Sequence, residues 1–183
     1  MNNVTGRMVL AMAVLISGAM ACAQESENKT RDNMNTLEIG DEVPHFVLKD
    51  QDGNEFDIKD YIGKKKLVIY FYPKDESPGC TKQACAFRDD FEAYTDAGAM
   101  VIGINSGDVK SHQSFAQNHR IPFTLLSDPG NKVLKAFGVK NVLFFTGRET
   151  FVVGIDGRVA FKYRAMMNAT EHNNHVLDFL ESK

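Results

Sequence analysis

Leu67-Val68-Ile69-Tyr70-Phe71-Tyr72-Pro73-Lys74-Asp75-Glu76-Ser77-Pro78-Gly79-Cys80-Thr81-Lys82-Gln83-Ala84-Cys85 changes character twice, and the architecture follows from those changes. Leu67 to Tyr72 is an apolar run, too short for a helix and rich in β-branched and aromatic residues, which is the composition of a central buried strand. Pro73 to Gly79 interrupts it. From Thr81 to Ala97 apolar residues return at Ala84, Phe87, Phe91 and Tyr94, a spacing of three and four that predicts an amphipathic helix ended by Gly98. Cys80 stands where that helix begins.

Upstream, Phe46 to Leu48 and Glu55 to Ile58 flank Asp50-Gln51-Asp52-Gly53, which has the turn chemistry of a β-hairpin. Downstream, Ala99 to Ile104 reads as a second buried strand, Val109 to His119 as a helix, and Phe123 to Leu126 as a short strand closed by Ser127-Asp128-Pro129-Gly130. Val133 to Phe137 is a short helix. Thr150 to Ile155 and Val159 to Tyr163 form a hairpin around Asp156-Gly157, and Thr170 to Leu180 is a last amphipathic helix. Strands alternating with helices, with hairpins at both ends, predict an α/β fold: a mixed sheet flanked by helices, thioredoxin-like in its order.

The chain has 183 residues, 43% hydrophobic and 25% charged, which suits one globular domain with a packed core. Lys plus Arg at 21 against Asp plus Glu at 24 leaves a net charge of -3, so no broad positive field for nucleic acid is expected. Met8 to Met20 is an apolar run preceded by Arg7 and followed by Ala19-Met20-Ala21-Cys22-Ala23, the pattern of a signal peptide over residues 1–23. The run is too short to cross a bilayer, so no integral membrane segment is expected in the mature chain. Ala21-Cys22-Ala23 favours cleavage before Gln24 and export to the periplasm, with lipid anchoring through Cys22 as the alternative. Residues 24–35 form a polar, flexible lead-in. The folded domain is expected over 36–183, with no internal repeat.

Three cysteines without a Cys-x-x-Cys pair give neither a disulfide scaffold nor a structural zinc site, which leaves a chemical role. A thiolate at Cys80 would face the unpaired N–H groups and positive dipole end of its helix, which favour the charged form. A free thiol near pKa 8.5 is only about 3% ionised at pH 7, whereas one near 6 would be about 90% ionised. Pro73 and Pro78 stiffen the loop and remove two donors, and Ser77 can offer a hydroxyl to the sulfur or to a bound oxygen.

The string Pro-x-x-x-Ser-x-x-Cys from Pro73 to Cys80 resembles the peroxiredoxin active-site motif, with Ser77 where Thr is usual. Phe71 to Asp75, Pro78 to Thr81, Cys85 and Phe87-Arg88-Asp89 together are similar to the bacterioferritin comigratory protein, or peroxiredoxin Q, branch. Further matches follow at Ser111-His112, Leu125 to Asp128 and Phe137 to Val139, so the resemblance covers about Ile39 onward. Arg148-Glu149-Thr150-Phe151 resembles the family's Arg-x-Thr-Phe element, which implies that Arg148 holds the thiolate and polarises the peroxide. Lys140 to Gly147 departs from the longer bacterial loop toward the plant form. The resemblance also implies that Pro73 shields the sulfur, that Ser77 holds peroxide, and that thioredoxin or a thioredoxin-like protein is the reductant.

Cys85 follows Cys80 by five positions, about 7.5 Å of rise and roughly 140° of rotation in an intact helix, or about 8.6 Å between Cα atoms. A disulfide seldom spans more than about 7 Å, so a Cys80–Cys85 bond requires the first turns to unwind. Cys85 as a plain buried apolar residue is the competing reading. The expected reaction is attack of Cys80 (peroxidatic) on a peroxide, followed by disulfide formation with Cys85 (resolving), in a monomer without metal or organic cofactor. An envelope thiol-disulfide oxidoreductase and a non-catalytic redox sensor are the alternatives. His172-Asn173-Asn174-His175 is read as a solvated helix face rather than a metal pair, and Lys64 to Lys66 as the polar flank of a strand.

Overall fold

A computed structural model describes residues 36–140 and 147–182. The leader, Cys22, the lead-in, and residues 141–146 of the stretch before Arg148 lie outside the described residues. The order is β1 (Val47–Asp50), β2 (Glu55–Asp57), β3 (Lys66–Phe71), α1 (Pro78–Asp89), α2 (Phe91–Asp96), β4 (Ala99–Asn105) and α3 (Val109–His119). β5 (Thr124–Ser127), α4 (Lys132–Ala136), β6 (Glu149–Val153), β7 (Val159–Arg164) and α5 (Glu171–Glu181) complete it. The strands form one sheet in the order β2-β1-β5-β4-β3-β6-β7. β3, β4 and β5 run parallel, while the pairs β1/β2, β1/β5, β3/β6 and β6/β7 are antiparallel. This is the mixed, helix-flanked sheet and thioredoxin-like order expected from the sequence.

β3 is central because both of its edges are paired: Val68 faces Val101 of β4 on one side and Val152 of β6 on the other. Its alternation sends Leu67, Ile69 and Phe71 into one apolar layer and Val68, Tyr70 and Tyr72 into the opposite one. The first layer gathers Ile102, Ile104, Phe137 and Phe151. The second takes Phe87 from α1, Tyr94 from α2, Phe115 from α3 and Val176 from α5. β3 therefore delivers the chain to the top of a sheet packed on both faces, and α1 begins there.

Close packing sets one residue outright. Gly103 pairs with Tyr70, and a Cβ at position 103 would stand 2.7 Å from the Tyr70 ring carbon Cζ and 2.8 Å from Leu125. The hairpins are those anticipated, with the Asp50 carboxylate accepting the backbone N–H groups of Asp52 and Asn54.

Two expectations are corrected. The single helix over Thr81 to Ala97 starts at Pro78 and breaks at Asp90 (φ -103, ψ 19) into α1 and α2. Pro78 suits the first helical position because its missing N–H would have no partner there. The break goes with a tertiary bond, since Asn173 donates its amide to the Asp90 carboxylate at 2.6 Å. The second correction concerns α5. His172 and Asn173 are buried rather than solvated, whereas Asn174 is exposed and His175 half-buried, 3.8 Å from Glu171.

Candidate active site

The chain leaves β3 at Phe71, crosses Pro73 to Ser77 and enters α1, which places Cys80 at the third helical position with 1% of its surface exposed. Both described cysteines are free thiols, and Cys85 is half-buried on the same helix. Arg148, just before β6, is itself buried. Its Nη2 donates to the Cys80 sulfur at 3.4 Å, its Nη1 to the Gln83 side-chain oxygen, and its Nε to the Met166 carbonyl at 3.2 Å. Gly79 permits this approach, because a Cβ there would lie 3.3 Å from Nη2. The sulfur thus meets two sources of positive potential, the helix start and a fixed guanidinium.

Behind Arg148 the wall is equally fixed. The His172 Nε2 donates to the Ala165 carbonyl at 2.9 Å, so its Nδ1 accepts the Thr150 hydroxyl at 2.8 Å. Burial pushes the His172 pKa down to about 4, which keeps the ring neutral at ordinary pH. A cavity of about 430 Å³ opens beside the start of α1, lined by Pro78, Gly79, Lys82, Asn168, Thr170 and Glu171.

The loop carrying the sulfur is held from below by Asp75. Its buried carboxylate accepts the Tyr72 hydroxyl at 2.7 Å and the Asn105 amide at 2.8 Å on Oδ1. Oδ2 accepts Ser111 at 2.6 Å and the His112 Nδ1 at 2.8 Å. The other nitrogen of His112 faces the Leu126 carbonyl at 3.1 Å. Burial alone would raise the Asp75 pKa, but the hydrogen bonds from His112 and Ser111 outweigh it and hold the carboxyl below the usual range.

Of the residues singled out from sequence, the structure brings Cys80 and Arg148 into contact and puts Cys85 on Cys80's helix. Ser77 precedes α1, and its hydroxyl donates to the Lys74 carbonyl at 2.9 Å rather than to the sulfur. Pro73 follows β3 and is half-buried. Gln83 was missed, although its place one turn after Cys80 on a helix is a readable signal. The Asp75 cluster was missed too, because its members come from four separated stretches. No group of three or more metal-ligating side chains occurs among the described residues. Nor is any helix among them long and apolar enough to cross a membrane.

Comparison with known proteins places the site in context. Residues 39–162 match the family model described as the AhpC/TSA family. The chain is 48% identical over 145 residues to a chloroplastic peroxiredoxin Q of Gentiana triflora, covering 78% of this chain but 66% of that protein's length. Among solved structures, a peroxidoxin of Mycobacterium tuberculosis superposes with a TM-score of 0.75 at 32% identity, covering 80% of this chain and 97% of that one. The bacterioferritin comigratory protein of Xanthomonas campestris, whose structure is described in terms of alkyl peroxide reduction, gives 0.68 at 29% identity, covering 75% of this chain and 90% of that one.

Proposed function

This chain belongs to the AhpC/TSA family, and on that premise we propose that it is a thiol-dependent peroxidase of the peroxiredoxin Q kind with Cys80 as the attacking residue. The observation that carries the reading is the Cys80 sulfur at the start of α1, 3.4 Å from Arg148 Nη2. A thiolate there attacks one oxygen of a peroxide O–O bond. The S–O bond forms as O–O breaks, and the departing hydroxide or alkoxide takes a proton to leave as water or alcohol. Arg148 carries a second free role in this step, because a guanidinium already fixed by Gln83 and Met166 stabilises the charge growing on the leaving oxygen without rearranging. Pro73 shields the sulfur, and Ser77 holds peroxide once its hydroxyl turns from Lys74.

Cys80 is then a sulfenic acid. Cys85 attacks it as a thiolate, the S–S bond forms, the S–O bond breaks, and hydroxide leaves to become water. With both cysteines inside α1, about 8.6 Å apart at Cα in regular helix, the first turns must open for this bond to form. A dithiol protein of the thioredoxin type returns the disulfide to two thiols. Since one helix of one chain holds both sulfurs, a monomer suffices. The apolar leader supports export to the periplasm, which sequencing of the mature N-terminus tests.

The decisive experiment is peroxide consumption by the cysteine variants. Cys80→Ser should abolish it, and Cys85→Ser should allow one turnover and then stall with thioredoxin. Steady-state turnover in Cys80→Ser overturns the proposal.

A further inference from the structure

One guanidinium grips, by two bonds, the helix that has to open. Arg148 Nη2 donates to the Cys80 sulfur at 3.4 Å, and Nη1 donates to the side-chain oxygen of Gln83, one turn further along α1. Its Nε is tied to the Met166 carbonyl, outside α1, so the guanidinium stays behind when the helix unwinds. Gln83 cannot stay with it. It lies between Cys80 and Cys85 on α1, and bringing those two sulfurs together displaces it. Among the described residues, no other side chain from Thr81 to Ala84 hydrogen-bonds to another element.

Gln83 is 0% exposed, and because an arginine can only donate, the amide oxygen faces Arg148 while the amide nitrogen is left with no acceptor among the described residues. A buried donor without a partner opposes the folded state, and opening returns it to water. The grip is therefore weak by composition, one neutral acceptor set against one unpaired donor. Attack on peroxide weakens the other grip, because the negative thiolate becomes a sulfenic acid and loses its charge attraction to Arg148.

Resting on the cycle proposed above, we propose that Gln83 is a positioning residue with a second duty, the latch whose bond to Arg148 sets when α1 opens after Cys80 is oxidised. While the latch holds, Cys80 faces Arg148 and Cys85 is out of reach. Release lets Cys85 attack. Delay leaves the sulfenic sulfur to a second peroxide, whose O–O bond breaks as one oxygen joins the sulfur to give sulfinic acid and the other departs as water or alcohol. The strength of one amide bond thus divides oxidised Cys80 between recycling and loss.

Gln83→Glu and Gln83→Met move the latch in opposite directions. The carboxylate keeps the acceptor, removes the unpaired donor and makes the bond to Arg148 charge-assisted, whereas the thioether removes the acceptor at similar volume. Rapid mixing should show disulfide formation slowed roughly tenfold in Gln83→Glu, with a larger sulfinic fraction by mass spectrometry, and quickened roughly fivefold in Gln83→Met. General loosening of α1 would quicken it in both variants. Any pattern other than these opposite shifts overturns the latch, while absence of a Cys80–Cys85 bond in the unaltered protein overturns instead the cycle on which it rests.

Discussion

Asp75 and Ser77 are two residues apart in one loop and are held in opposite ways. The Asp75 carboxylate is buried and takes four hydrogen bonds, from Tyr72 after β3, Asn105 in β4, and Ser111 and His112 in α3. Ser77 has a single local bond from its hydroxyl, to Lys74. Between them Glu76 adopts φ +59, a left-handed backbone that costs a non-glycine residue roughly 1–2 kcal/mol, with its side chain tied to Asn118 and His119. The difference teaches where this chain can let go. Anchoring is strong up to Asp75 and slight at Ser77, while Cys80 beyond it is held by Arg148 rather than by the loop, so the opening proposed for α1 would leave the Asp75 anchor and the sheet in place.

The severest test of that contrast is removal of the anchor. Asp75→Ala leaves His112, Asn105 and Ser111 facing an uncompensated buried gap, and urea denaturation should show a loss of roughly 3–5 kcal/mol. A loss under about 1 kcal/mol would mean that the loop is fixed elsewhere. The acid limb gives the sign independently. The folded pKa of Asp75 lies below its unfolded value, so its contribution is complete above the unfolded pKa and disappears as pH falls through the folded one.

The opposite wall of the site answers to pH over a different range. His172 has its folded pKa depressed from 6.5 to about 4, so the unfolded chain binds the proton first as pH drops. Stability should fall by roughly 3 kcal/mol between pH 7 and pH 4, and His172→Gln should flatten that slope. A slope that survives the substitution assigns the effect to other groups.

A smaller change is expected on oxidation. Far-ultraviolet circular dichroism should lose the signal of about one to two helical turns, and amide exchange should quicken within α1 while β4 and the start of α3 stay protected. Unchanged helicity with a proven Cys80–Cys85 bond defeats the idea of local opening. Least of all should come from Ser77→Ala, about 0.5–1 kcal/mol, since it removes one exposed hydrogen bond. A cost matching that of Asp75→Ala would erase the contrast.

Much of this was legible in the sequence. The run Leu67 to Tyr72 announced the central strand because β-branched and aromatic side chains packed on both faces leave no polar alternation. Val109 to His119 was read to its observed ends, since Asp108 caps the helix through the Ser111 N–H. Cys80 and Arg148 were legible as a pair only through resemblance, because periodicity says nothing about which distant residues meet. The break at Asp90 was not legible, as the bond from Asn173 that accompanies it comes from far along the chain. The burial of His172 escaped for the same reason. Its polarity argued for solvent, while Thr150 and the Ala165 carbonyl supply the partners that make burial tolerable.

The contact between Gly103 and Tyr70 carries a consequence for descent. A side chain at 103 cannot be fitted while the phenol ring lies 2.7 Å from where its first carbon would go, and the Tyr70 hydroxyl has no hydrogen-bond partner among the described residues to hold it there. Selection therefore acts on the two positions as a pair. A lineage that gains alanine at the first should be found to have traded the tyrosine for something smaller, and ancestral intermediates with only the alanine should be rare.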